Sequence, residues 1–162
     1  MSTAVVYYSV NGNSALAANA LAEKLGAKLI ELKEKKLRDL SKIGPAFMKA
    51  GMQAVFKFRS KLQGQPWQDA SDCSDIHIIT PIWASRQAPA VNAFVAKYDF
   101  KGKRVFLYTI QADTNDTAIK AREALANTVR GKGGSITGCY GLTGGGFGKE
   151  PNQELARKIR EL

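Results

Sequence analysis

Six consecutive residues, Ser9-Val10-Asn11-Gly12-Asn13-Ser14, gather four short polar side chains around one glycine. A stretch of this kind suits an anion. Small hydroxyls and amides donate without blocking access, and a glycine lets the backbone turn so that unpaired N–H groups converge. A single helix cap would explain one of these residues, but not four. A second stretch, Thr80 to Pro89, reads TPIWASRQAP and sets one large aromatic, Trp83, among small residues between two prolines. A planar ring system fits such a loop, and Pro81 and Pro89 limit the entropy lost on binding. A third stretch, Ile110-Gln111-Ala112-Asp113, is small and polar.

Other chemistry fails on inspection. The chain has one histidine, His77, which excludes multi-histidine metal sites; its place inside a strand makes it structural, and no metal is expected. Ser9 has no base near it in sequence and reads as a ligand, not a nucleophile. Gly148-Lys149 is followed by Glu150 where a Walker motif needs Ser or Thr. The run Gly144 to Gly148 follows the fifth strand, so it is a flexible loop and not a dinucleotide fingerprint. Cys73 and Cys139 match no metal or redox spacing and read as reduced thiols.

The elements that must position the three stretches alternate along the chain. Ala4 to Tyr8 is apolar on both faces, as a central parallel strand is. Leu16, Ala17, Ala20, Leu21 and Leu25 follow at helical spacing, with Gly26 as the stop. Residues 27–32 read as an edge strand and 33–42 as a lysine-rich connector. A helix is expected from Pro45 to about Leu62, with Phe47, Gly51, Ala54, Val55, Phe58 and Leu62 on one face and Gly64-Gln65-Pro66 ending it. Strands are expected at 75–80, 104–109 and 135–140, and helices at 90–97, from Asp113 to Gly131, and at 153–162. Five strands alternating with helices predict an α/β fold: a parallel sheet covered on both faces. Such sheets bind ligands beyond the carboxyl ends of their strands, where the first and third strands part. That puts all three stretches at one edge.

With 162 residues the chain reads as a single domain, 1–162, and its 44% hydrophobic and 23% charged content is ordinary for a globular protein. No apolar run is long enough to span a membrane and no signal peptide is evident, so a cytoplasmic location is expected. The net charge of +10 is less ordinary: nine of the 24 lysines and arginines fall between Lys33 and Lys61, against Glu34 and Asp39. Acidic partners, polyanions and anionic membrane surfaces follow as classes to consider, beside a merely solvated surface.

Tyr8-Ser9-x-Asn11-Gly12-Asn13-Ser14 resembles the flavodoxin phosphate loop, commonly Ser/Thr-x-Thr-Gly-Asn-Thr, and Thr80 to Pro89 resembles the second flavin-binding loop of flavodoxin-like proteins. The likeness covers essentially the whole chain, including the segment from Gly44 to Leu62. It implies a flavodoxin-like three-layer α/β sandwich, with a five-stranded parallel sheet in the order 2-1-3-4-5, and FMN as cofactor. The side chains of Ser9, Asn11, Asn13 and Ser14, with backbone N–H groups from Val10 through Gly12 to Ser14, would hold the phosphate. Pro81, Ile82, Trp83, Ala84 and Ser85 would line the isoalloxazine, with Trp83 stacking on or covering it. Gln111, Ala112 and Asp113 would approach its pyrimidine side. Asn11 departs from the usual threonine, the third loop lacks an aromatic for the second flavin face, and the chain is basic where flavodoxins are typically acidic. Three functions are compatible: an electron carrier between redox proteins with acidic docking surfaces, an FMN-dependent NAD(P)H or quinone oxidoreductase, and a non-redox binding module on the same fold. Nucleic acid is a weak candidate partner.

Overall fold

The computed structural model describes residues 2–36, 44–56, 58–112, 118–145 and 149–162. In chain order the elements are β1 (Thr3–Tyr7), α1 (Asn13–Leu25), β2 (Lys28–Glu31), α2 (Pro45–Val55), α3 (Pro66–Asp69), β3 (Asp75–Trp83), β4 (Arg86–Gln87), α4 (Pro89–Lys97), β5 (Arg104–Gln111), α5 (Ile119–Gly131), β6 (Ser135–Thr143) and α6 (Glu154–Glu161). The sheet runs β2-β1-β3-β5-β6, all parallel, with β4 turned back antiparallel onto the end of β3. Leaving β4 aside, this is the expected order.

Alternation along the strands sorts side chains into two cores. Ala4, Val6, Ile76, Ile78, Val105 and Leu107 face the layer carrying α4 and α5, where Val91, Phe94, Leu125 and Val129 are buried. Val5, Tyr7, Ile79, Tyr108 and Ile110 face α1 and α6, meeting Ala17, Leu21, Leu155 and Ile159. Each fully buried aliphatic or aromatic side chain contributes about 1.5–3 kcal/mol. Because Ala4, Val5 and Val6 are wholly inaccessible, β1 has no solvent side at all. Gly26 closes α1 as read from the sequence: at φ 58 it adopts the left-handed conformation, and the Ala27 N–H reaches the Ala22 carbonyl at 2.9 Å.

Three boundaries differ from expectation. First, β3, β5 and β6 each run two or three residues further. Pro81 pairs in register with Ile110, and Gly141 and Leu142 pair with Thr109 and Ile110, so residues read as loop continue the ladder. Second, α2 stops at Val55. Phe58 is exposed, while Leu62 is buried in an antiparallel bridge to Glu34, flanked by Lys35 N–H to Lys61 carbonyl (2.8 Å) and Gln63 N–H to Lys33 carbonyl (2.7 Å). An extended partner for the segment after β2 competes with the helix and wins. The side chains of Phe47 and Val55 lie outside the described residues. Third, Pro66 begins the short α3, and Pro89 occupies the first turn of α4, where its missing N–H costs nothing.

His77 on β3 is structural. Its ring stacks on Phe106 (4.3 Å between centroids, 2° between planes), and Nδ1 lies 3.0 Å from the Tyr108 hydroxyl. Burial lowers its pKa to about 4, outweighing the opposing Asp75 carboxylate; Arg104 adds to the lowering. The folded protein therefore holds His77 neutral, and protonation favours the unfolded chain. This contribution is complete above about pH 6.5 and is lost as the pH falls toward 4, by roughly 3 kcal/mol at 1.36 kcal/mol per unit. Urea unfolding at pH 7.5 and pH 4.5 is expected to show that loss, and His77→Gln is expected to abolish most of it.

Candidate functional site

The polar turn begins where β1 leaves the sheet. Tyr8 is still anchored, its N–H bonded to the Ile79 carbonyl at 3.3 Å. The chain then turns through Ser9 to Gly12 and enters α1 at Asn13. Gly12 is the N-cap at φ 89, a left-handed conformation that side chains rarely adopt. A Cβ at Gly12 would also stand 2.8 Å from Pro151 Cγ. Two independent constraints thus require glycine.

Helix α1 has no side-chain cap and no acidic residue in its first turn, so the positive end of its dipole is uncompensated from within the helix. The nearby amides have weak local acceptors: Gly12 N–H bonds to Ser9 Oγ at 3.2 Å and Asn13 N–H to Asn11 Oδ1 at 3.4 Å. Ser14 is 1% exposed, and its hydroxyl oxygen is buried with no hydrogen-bond partner. A buried hydroxyl without a partner is uncommon, because its desolvation costs about 1–3 kcal/mol. An anion at the helix terminus would supply the acceptor. The residue types, the dipole and this orphan hydroxyl all fit a phosphate.

Asn13 behaves otherwise. Its side chain donates to the Gly145 carbonyl (3.3 Å) and accepts from Asn152 N–H (2.8 Å), tying the turn to the segment between β6 and α6. Its second Nδ2 hydrogen, and the backbone N–H held only at 3.4 Å by Asn11 Oδ1, remain for an anion. The Asn13 side chain thus has a clamping role beside the phosphate contact expected of it. Likewise, the start of the glycine-rich run is close-packed: a Cβ at Gly144 would lie 2.7 Å from Ile110 Cγ2 and 3.1 Å from Asn13 Cγ. Residues 146–148 lie outside the described residues. The buttress formed by Gly144, Gly145, Pro151 and Asn152 was not read from the sequence; the paired glycines were its one local sign.

The second stretch is a hairpin rather than an open loop. Ile82 pairs with Gln87 and Trp83 with Arg86, leaving Ala84 and Ser85 as a two-residue turn with φ 46 and 60. Positive φ at both positions is the type I′ geometry, usually given to Asn-Gly. Trp83 does not stand at an exposed tip. It is 4% exposed and packs edge-on to Tyr8, with centroids 5.7 Å apart and planes at 75°. Tyr8 in turn donates to Glu34 Oε2 at 2.6 Å, and Ser60 also donates to that carboxylate. Trp83 is thus held in place where it borders the cleft.

Gln111 is buried at the end of β5, and its carbonyl accepts from Gly144 N–H at 2.8 Å. Ala112 is exposed, and Asp113 lies outside the described residues. The three stretches meet. A narrow cleft at the carboxyl edge of the sheet is lined by Val10, Asn11 and Asn13 from the turn, Pro81, Ile82 and Trp83 from β3, and Ile110, Gln111 and Ala112 from β5, with Gly145 closing it.

Known structures of the same shape carry this architecture. A Bacteroides uniformis protein assigned as a flavoprotein superposes with a TM-score of 0.75 over 99% of this chain and 98% of its own, at 20% identity. The fold is flavodoxin-like. A Lactobacillus acidophilus flavoprotein, solved in complex with FMN, matches 86% of this chain and 92% of its own at TM-score 0.67 and 18% identity. An Agrobacterium tumefaciens flavodoxin, described as WrbA-like, covers 98% of this chain and 90% of its own at TM-score 0.63 and 18% identity. No family model and no curated protein matches the sequence.

The strained hairpin provides a check on its geometry. Replacing Ala84 and Ser85 by the residues a type I′ turn prefers (Ala84→Asn with Ser85→Gly) is expected to stabilise the protein by about 1 kcal/mol, since left-handed non-glycine residues cost roughly that much each. Denaturant unfolding measures it. A loss of stability would refute the turn assignment.

Proposed function

We propose that this chain binds FMN non-covalently at the carboxyl edge of its sheet and serves as an electron carrier between redox proteins. The observation that carries the reading is the buried, partnerless Ser14 hydroxyl at the uncapped terminus of α1, beside a cleft walled by the other two loops. The flavodoxin-like fold and the FMN named with the Lactobacillus acidophilus structure support it. FMN, when bound, supplies one- and two-electron chemistry; the protein's part is to hold and orient it.

In that reading Ser9, Asn11 and Ser14 offer side-chain groups to the phosphate, and the N–H groups from Val10 to Ser14 add backbone donors. Helix α1 contributes its dipole. Pro81, Ile82 and Trp83, held rigid by the hairpin to Arg86 and Gln87, wall the ring. Gln111 and Ala112 close the far side. Asn13 acts by clamping the turn to Gly145 and Asn152, which keeps the amides aimed.

A second reading, an FMN-dependent NAD(P)H or quinone oxidoreductase, is favoured by one feature. Among the residues lining the cleft Trp83 is the single aromatic, and it is packed on Tyr8, so one ring face would be accessible to a substrate. The Agrobacterium tumefaciens neighbour, described as WrbA-like, is in keeping with that alternative.

The protein incubated with FMN and desalted is expected to keep an oxidised-flavin spectrum at one flavin per chain; a colourless protein would overturn the proposal. Ser14→Ala is expected to weaken FMN about tenfold, the worth of one hydrogen bond to a charged group. Its folding stability should hold or rise, because the hydroxyl has no partner to lose. Ser14→Asp, which sets a negative charge against the phosphate, is expected to abolish retention. Under the carrier reading, NADPH and a quinone give no turnover until a separate reductase is added. Turnover by the flavin-loaded chain alone would favour the oxidoreductase.

A further inference from the structure

Among the described residues, four of the large hydrophobic side chains left in solvent crowd into one short segment: Met48 (69% exposed), Met52 (59%), Phe56 (74%) and Phe58 (56%). Met48, Met52 and Phe56 are spaced four apart, so they form a single stripe along α2 and its C-cap. The opposite side of the helix is buried through Ala50 and Ala54. Among the described side chains, α2 is thus docked through Ala50 and Ala54 and turns Met48 and Met52 outward. Together with Pro45, Lys49 and Gln53 the stripe bounds a shallow apolar groove.

The surroundings of the stripe are cationic. Lys49 flanks it, Arg59 and Lys61 follow it, and the bridge between Glu34 and Leu62 brings Lys33, Lys35 and Lys36 alongside; all six are exposed. The acid within this group, Glu34, is 4% exposed and turned inward to the Tyr8 and Ser60 hydroxyls, and of the six cations Lys33 is paired at the surface with Glu31 (3.3 Å), so the face keeps a net positive charge. Large apolar side chains rimmed by lysine and arginine are the composition of a helix that lies in the headgroup region of a membrane. A second copy of the chain would set these cations against one another. Nucleic acid would engage the cations and leave four large apolar groups in water.

We propose that this face docks on an anionic lipid bilayer, seating Met48, Met52, Phe56 and Phe58 at the acyl boundary with the lysines and arginines against the headgroup phosphates. The docking does not depend on the flavin. Its use does rest on that reading: a Cβ at Gly51 would lie 3.8 Å from that of Ala84, so α2 adjoins the hairpin that walls the cleft. A bilayer-seated α2 would bring that wall close to lipophilic electron acceptors such as quinones.

Sedimentation with phosphatidylcholine vesicles, with and without phosphatidylglycerol, tests it. The full chain is expected to pellet with the anionic vesicles only, less so as salt rises. The double substitution Met52→Glu with Phe56→Glu is expected to weaken this at least about tenfold, by removing the apolar contribution. Its thermal midpoint should be unchanged, because both side chains are exposed in the fold. Failure to bind anionic vesicles would overturn the proposal and point to an acidic protein as occupant. Undiminished binding by the double variant would overturn it as well, reducing the effect to charge alone. Either result stands whether or not the chain retains FMN.

Discussion

Everything at the candidate site depends on β1 being buried on both faces. Ala4, Val5 and Val6 touch no solvent, so the middle of the strand has no position for a polar residue. The polar groups that follow it are consequently gathered in one turn, at the edge where β3 and β5 also end. Parallel pairing then does the aligning: Tyr7 is opposite Ile79, and Pro81 opposite Ile110, so three loops distant in sequence emerge side by side. A parallel sheet brings this about without any direct contact between the loops, because its strands all release their chains at the same edge.

What turns that edge into a cleft is a set of tertiary clamps. Asn13 ties the first turn to the chain after β6, Tyr8 joins Trp83 to Glu34, and the β3–β4 hairpin holds the second loop as a rigid wall. Two backbone positions at positive φ without glycine, Ala84 and Ser85, show that this wall is held against local preference. Strain of this kind persists where surrounding packing over-determines it. Here Trp83 is buried on one side of the turn and Gln87 on the other.

The charge distribution follows a different logic from the core. Ion pairs such as Arg104–Asp75 and Arg157 with Glu154 and Glu161 balance parts of the surface. Around α2 the balance is partial: among the described residues Lys33 pairs with Glu31, while Glu34 is sequestered inside. One and the same residue therefore supports the Trp83 wall through Tyr8 and leaves the neighbouring surface strongly cationic.

Much of the architecture was legible from the chain alone. Strand and helix order, the Gly26 stop and the three loops at one edge follow from local periodicity and from the topology that alternation imposes, and local signals of that kind do not need the folded context; the sheet order came with the flavodoxin resemblance. The segment after Val55 was misread because Phe58 and Leu62 keep helical spacing while an extended partner after β2 offers better hydrogen bonds. Asn13 reads as a ligand because its type suits one; that its amide also clamps the turn to Gly145 and Asn152, more than 130 positions away, has no trace in the neighbouring sequence. By itself, then, the sequence determined the layers, the order of elements along the chain and the polar turn, since these rest on period and residue type. Only the tertiary structure decided which polar atoms stay unpartnered, which ring is fixed and which apolar face is left outside, since each of those depends on a partner remote along the chain.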